Sequence, residues 1–246
     1  MILWDYKKKV QIGEVNVQRD ILKLKLFSDL CIICCLDAIY FFNPSNSTEP
    51  IEKFSTSHNP YGLIAIEPSS NGLFIAYPDH ERIGTVCVYN RKTKEYLKID
   101  AFDKEIRYIT MKETNNNNNK LPATSISNDN NVIGNGVVVS NHSSSSSSSS
   151  IHNSNNNNNI LLAAADENGT IIRVFNVTAG GVLIKSFNRG HYEAWIYSIA
   201  FSHDGGRLAC TSSRGTIHVF DLLATKYDYI ISSSATHTHS HYFFIC

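Results

Sequence analysis

Asp166-Glu167-Asn168-Gly169-Thr170-Ile171-Ile172-Arg173-Val174-Phe175-Asn176 and Ser212-Ser213-Arg214-Gly215-Thr216-Ile217-His218-Val219-Phe220-Asp221 share one pattern. A polar turn leads to a Gly-Thr pair, an apolar run follows, and an aromatic residue closed by Asn or Asp ends it. Glycine supplies the positive φ of a tight hairpin turn, and β-branched threonine starts the next strand. Gly84-Thr85 opens a third copy, which ends in Cys87-Val88-Tyr89-Asn90. Ile2-Leu3-Trp4-Asp5 and Tyr40-Phe41-Phe42-Asn43 supply two more endings. The aromatics Trp4, Phe42, Tyr89, Phe175 and Phe220 stand 38, 47, 86 and 45 residues apart. The one long interval contains Asn115 to Asn159, a tract in which 28 of 45 residues are Asn or Ser; without it the interval is 41.

Short β-branched and aromatic runs separated by Gly, Asn, Asp and Pro, with no sustained period of 3.6, predict an all-β chain. A repeat of about 40 to 45 residues with four strands per unit predicts a WD40-type β-propeller. Working outward from the Gly-Thr hairpins places the strands of one blade at 62–68, 73–78, 84–90 and 95–102. The next blade falls at 106–111, 160–165, 170–176 and 182–188. The Asn/Ser tract, 115–159, is then an insertion between the first and second strands of a blade, where loop length costs little closure entropy. Its composition predicts a disordered spacer. A partial propeller domain over 1–222 follows, with three complete blades flanked by two partial ones and a tail, 223–246, read as disordered. A partial ring leaves two blade faces open, so the sequence reads as a fragment or an incomplete gene model.

The chain has 246 residues, 42% of them apolar, and 22 Lys plus Arg balance 22 Asp plus Glu. Neutrality argues against a nucleic-acid binder acting through a basic face. The most apolar stretch, Leu30 to Phe42, is interrupted by Asp37 and is too short to cross a bilayer. Met1-Ile-Leu-Trp runs directly into Asp5 and Lys7-Lys8-Lys9 without a signal-peptide pattern, so the six cysteines are expected in a reducing compartment. Cys31-Ile-Ile-Cys34 lacks a second ligand pair for zinc, and Cys31, Cys34, Cys35, Cys87 and Cys210 read as buried strand residues. His237, His239 and His241 alternate in the tail, where a metal is an alternative to non-native sequence at a truncated end.

Phe187-Asn188-Arg189-Gly190, followed by Ile196-Tyr197-Ser198-Ile199-Ala200-Phe201-Ser202, resembles the PROPPIN family, the WIPI or WD-repeat phosphoinositide-interacting proteins. That family carries a Phe/Leu-Arg-Arg-Gly motif before such a strand. Asn59-Pro60-Tyr61-Gly62-Leu63 and the two Gly-Thr stretches quoted above match it too, in the family's order. The resemblance runs from Met1 to about Leu222 and implies a seven-bladed ring entered late in the second blade and left within the sixth. Tyr77-Pro78-Asp79-His80 close to Gly84-Thr85 resembles the branch with a short connection at that place. The resemblance implies a peripheral membrane protein that binds phosphatidylinositol 3-phosphate and 3,5-bisphosphate in two rim pockets. It implies a cytoplasmic protein recruited to the phagophore assembly site or endosomal membranes. Its partners would be phosphoinositide-containing membranes and autophagy components, including a bridge-like lipid-transfer protein.

Residue by residue, the resemblance assigns Arg189, Ser212, Ser213, Thr216 and His218 to the second pocket. A guanidinium fork with nearby hydroxyls and an imidazole suits phosphate oxygens. In the first pocket Asn188 replaces an arginine, Asp166 a serine, Asn168 a lysine and Phe102 a histidine, while Thr170 and Arg173 remain. Asp repels an incoming phosphate and Asn cannot replace a permanent charge, so this pocket is expected to be crippled. Plainer roles stay open. Arg189 can be a solvated turn residue and His218 a packed histidine; Thr216, Ser212, Ser213, Thr170 and Arg173 can serve the strands alone. The long sixth-blade loop that assists attachment in the family would begin after Leu222 and is absent or replaced. No nucleophile with its base, paired acid and base, or Gly-rich phosphate loop points to an enzyme, and no cofactor is called for. A WD-repeat scaffold that binds protein without lipid, or a non-functional truncated product, is the alternative.

Overall fold

The computed structural model describes residues 2–44, 49–114 and 158–223, together with the backbone of Ser233–Ser234. Every helix or strand element among them is a β-strand. β1 (Ile2–Asp5) and β2 (Val10–Glu14) form a two-stranded hairpin. Four four-stranded antiparallel sheets follow. The first contains β3 (Lys23–Leu26), β4 (Cys31–Cys34), β5 (Ala38–Phe42) and β6 (Glu52–Ser55). The second contains β7 (Ala65–Ser69), β8 (Gly72–Pro78), β9 (Thr85–Asn90) and β10 (Glu95–Asp100). The third contains β11 (Ile106–Thr114), β12 (Asn159–Asp166), β13 (Ile171–Asn176) and β14 (Val182–Asn188). The last sheet comprises β15 (Ile196–Phe201), β16 (Arg207–Ser212), β17 (Thr216–Asp221) and the two-residue β18 (Ser233–Ser234). Neighbours in sequence are neighbours in each sheet, and β11 lies against both β7 and β15, so these first strands sit side by side.

The blades stand where the repeat places them, with local differences. β7 begins at Ala65 because the buried Asn59 locks the preceding turn. Its Oδ1 accepts from the Leu63 amide at 2.7 Å and its Nδ2 donates to the Leu63 carbonyl at 3.1 Å. β10 ends at Asp100 because the Ala101 and Phe102 amides both turn to the Gly84 carbonyl, at 3.0 Å each. The Asn/Ser tract does join the first strand of a blade to the second, but Asn159 belongs to the ladder, paired with Thr114. The disorder expected of the tract concerns 115–157, outside the described residues. Most of the tail, including His237, His239 and His241, is outside them too. Within the tail, Ser233 and Ser234 pair with Ile217 and Thr216 along the edge of β17.

The inner strands β4, β5, β8, β9 and β12 are buried on both faces, and their residues alternate between two cores. Along β12, Ile160, Leu162 and Ala164 face the second sheet, packing near Val86, Val88 and Ile109. Leu161, Ala163 and Ala165 face the last sheet, near Leu208, Cys210 and Phe220. β4 does the same: Ile32 and Cys34 join one cluster, Cys31 and Ile33 the other. Continuous apolar runs such as Leu30 to Phe42 are therefore doubly covered strands. Complete burial of each such Leu, Ile or Phe contributes about 1.5–3 kcal/mol. Cys31, Cys34, Cys35, Cys87 and Cys210 are free and buried. Burial pushes the Cys34 and Cys87 thiols up to about 12, which keeps them protonated and inert.

Candidate functional site

Alternation at the end of β14 decides where the motif residues go. Phe187 is fully buried, its ring stacked on Phe220 with centroids 4.6 Å apart. Asn188 therefore faces the other way and is exposed, and Arg189 turns back inward with 4% of its surface accessible. The Arg189 amide donates to the Thr170 carbonyl at 2.7 Å, its Nε to the Gly169 carbonyl at 2.5 Å, and its Nη2 to the Tyr192 carbonyl. A solvated turn arginine is thus excluded: the guanidinium is pinned to the β12–β13 hairpin and to the segment leading into β15. Burial, with Arg214 adding to it, holds the Arg189 pKa below its ordinary value against the opposing pull of Cys210.

Ser212, at the end of β16, and His218, on β17, are 4% and 7% exposed. His218 lies across from Cys210, and its ring stacks near Phe220 at 6.2 Å. Its Nε2 is 2.9 Å from the Thr216 hydroxyl. Burial first, and the Arg189 charge second, hold the His218 pKa below 6.5, so the ring is neutral at pH 7. Four buried side-chain N or O atoms among the described residues lack a hydrogen-bond partner, and two of them are Ser212 Oγ and His218 Nδ1. Each costs about 1–3 kcal/mol left unpaired, so their concentration here calls for a cause. Ser213, the other serine assigned to this pocket, accepts a protein hydrogen bond. It is exposed, its Oγ accepts from the Trp195 amide at 3.1 Å, and its own amide donates to the Trp195 carbonyl at 2.9 Å. Its task is to hold the segment before β15.

At the first-pocket positions, the Asp166 Oδ1 accepts from the Gly169 amide at 3.0 Å and fixes the hairpin turn. Burial pushes its carboxyl pKa above the ordinary value, against Lys104 and Arg173. Thr170 contributes its carbonyl to Arg189. Arg173 donates to the Ala101 carbonyl at 2.5 Å and lies 4.7 Å over the Phe102 ring, so Phe102 is a platform for this cation. Lys104 is the residue that sequence reasoning passed over. Its Nζ donates to Asn168 Oδ1 at 3.1 Å, across 64 residues of chain, which returns a cation to the place where Asn168 removed one. A cleft elsewhere, lined by His58, Asn59, Asp79, Arg82 and Glu105, offers no surplus positive charge, since Arg82 is paired with Asp100 at 2.8 Å.

Four-stranded antiparallel sheets in sequential order, with their first strands side by side and a buried arginine between two of them, define a WD40-type β-propeller protein with a polar inter-blade site. No protein-family model matches the chain. SVP1-like protein 2 of Neurospora crassa is 25% identical over 222 residues, covering 90% of this chain and 40% of that protein. WD repeat domain phosphoinositide-interacting protein 2 of Mus musculus is 27% identical over 223 residues, again covering 90% and 40%. Autophagy-related protein 18 of Vanderwaltozyma polyspora is 54% identical over 56 residues, which is 23% of this chain and 10% of that one. Among solved structures, Kluyveromyces marxianus Hsv2 superposes with a TM-score of 0.60 at 21% identity, over 90% of this chain and 56% of that one. Along most of its length the chain is similar to proteins of the PROPPIN, or WIPI, family of β-propellers. It spans about 40% of the length of the curated relatives that it matches along most of its own length.

Proposed function

We propose that the chain is a phosphoinositide-dependent membrane recruitment module of autophagy, working through the Arg189 site. The observation that carries this is the pair of buried, unpartnered atoms on the β16–β17 hairpin, Ser212 Oγ and His218 Nδ1, the latter on a ring that feels the Arg189 charge. A phosphate oxygen satisfies both: a hydroxyl and an imidazole N–H donate to it, and the guanidinium supplies charge. In this reading Thr216 orients the imidazole through its Nε2, and Ser213 frames the mouth without touching lipid. The ligand is the headgroup of phosphatidylinositol 3-phosphate or its 3,5-bisphosphate, and the site of action is the phagophore assembly site or an endosomal surface. The autophagy lipid-transfer protein is a partner under the same proposal.

The first pocket, with Asn188 facing away from Arg189 and Arg173 committed to Ala101, is proposed as the weaker of the two, with Lys104 sustaining part of its positive potential. Titration calorimetry with soluble inositol 1,3-bisphosphate tests the reading: the wild type binds and Arg189→Ala does not. Equal affinity of the two overturns it. A protein-only scaffold is the second reading, favoured by Asn188. Its support outside the chain is a solved complex of Kluyveromyces lactis Atg21 with the coiled coil of Atg16, which resembles this chain with a TM-score of 0.58 at 17% identity.

A further inference from the structure

Next to the Arg189 site, the segment before β15 exposes Tyr192 and Trp195, which are 73% and 60% accessible. Both are tied to the site by their backbones. The Tyr192 carbonyl accepts from Arg189 Nη2, and Trp195 exchanges hydrogen bonds with Ser213 in both directions. Cations and one further ring flank them: Arg214 lies 5.2 Å over Tyr192, Arg107 lies 5.7 Å over Trp195 and 4.7 Å over Tyr61, and the Tyr61 ring meets Trp195 edge-on with centroids 6.3 Å apart. Glu105 pairs with Arg107 at 3.2 Å, and Glu193 is the exposed acid between the two rings.

Resting on the proposed lipid reading, we infer that Tyr192 and Trp195 enter the interfacial zone of an anionic bilayer beside the headgroup site. They form a second anchor that does not read the headgroup. Tyrosine and tryptophan have apolar bodies and polar tips, and so partition to the headgroup level of a membrane. The flanking Arg189, Arg214 and Arg107 complement an anionic surface, where each nearby cation adds about 1 kcal/mol. The backbone bonds hold both rings at a fixed place relative to the site, so a lipid held at Arg189 brings them to the membrane without a further search. In solution Arg214 covers the face of Tyr192 and Arg107 that of Trp195.

Trp195 reports on its own environment once Trp4, on β1, is changed to Phe. In that background the full chain is mixed with vesicles of phosphatidylcholine and phosphatidylserine carrying phosphatidylinositol 3-phosphate. Emission is expected to shift to the blue and to be quenched by lipids brominated near the headgroup. The double variant Tyr192→Ser, Trp195→Ser, made in the native chain and followed by flotation, should lose about tenfold or more in vesicle affinity. It should bind soluble inositol 1,3-bisphosphate as the wild type does. An unshifted Trp195 on bound vesicles, or unchanged vesicle affinity in the double variant, overturns the inference and leaves the headgroup reading standing. Loss of headgroup affinity in the double variant also overturns it, because the rings would then be part of the pocket. If the wild type binds neither headgroup nor vesicles, the lipid reading fails and this inference fails with it.

Discussion

Asn188 and Arg189 are adjacent in sequence, yet one faces water and the other lies beneath the surface with its donors on the Gly169 and Tyr192 carbonyls. Strand alternation accounts for the difference, and it sends two neighbouring motif residues to opposite sides of the strand end. Ser212 tests what the buried site is for. Its unpartnered Oγ is a burden on the fold, so Ser212→Ala should leave the melting temperature unchanged or higher while weakening inositol 1,3-bisphosphate binding about fivefold or more. A lower melting temperature with unchanged binding would make Ser212 a purely structural residue. His218 supplies a pH dependence. Its folded-state pKa lies below the unfolded value of 6.5, so the unfolded chain takes up a proton first as pH falls. The stability contribution is therefore complete above 6.5 and declines as pH drops through and below it. Phosphate at Nδ1 favours the imidazolium, so affinity should move the other way and rise over the same window. Thermal melts and headgroup titrations against pH should both flatten in His218→Gln; profiles identical to wild type would remove His218 from the site.

The Gly-Thr hairpins are the elements that present these residues, and two of them differ in what surrounds the turn. Gly169 and Gly215 have φ of 59° and 69°, so both occupy the left-handed region that other residues enter at a cost. A Cβ at Gly169 would stand 2.2 Å from the Ala194 carbonyl oxygen, whereas one at Gly215 would meet nothing within 4 Å. Gly215→Ala should cost about 1 kcal/mol, from backbone conformation alone, and Gly169→Ala at least about 2 kcal/mol more, since backbone must move. Because the Gly169 carbonyl holds Arg189, the Gly169 variant should also weaken headgroup binding. Urea midpoints compare the two; equal midpoints would refute the close approach. The sequence pattern made both hairpins legible, as glycine and threonine at fixed offsets report backbone conformation directly. It did not reveal that one turn is packed and the other open, which depends on a connection 25 residues downstream of Gly169 in the chain.

Across the whole molecule, the period of the aromatic residues located the four-stranded sheets, because each blade repeats the same local chemistry of turn, strand and cover. Doubly buried strands such as β12 read as plain apolar runs, and only their neighbours on either side explain why no polar face is needed. Features made by distant side chains stayed out of reach: Lys104 on Asn168 and Ser213 holding Trp195. Each is a hydrogen bond with no periodic signature. The neutral composition limits the account in the same direction, since 22 acidic and 22 basic residues provide no general attraction to anionic membranes. Under the proposed function, recruitment starts from the Arg189 site, with Tyr192 and Trp195 beside it, and weakens as salt screens the charges. Flotation with vesicles of phosphatidylcholine and phosphatidylserine, with and without phosphatidylinositol 3-phosphate, tests this most directly. The account predicts recovery of the wild type only when the phosphoinositide is present, and background recovery of Arg189→Ala. Equal recovery of the two proteins, or recovery indifferent to the phosphoinositide, would contradict it.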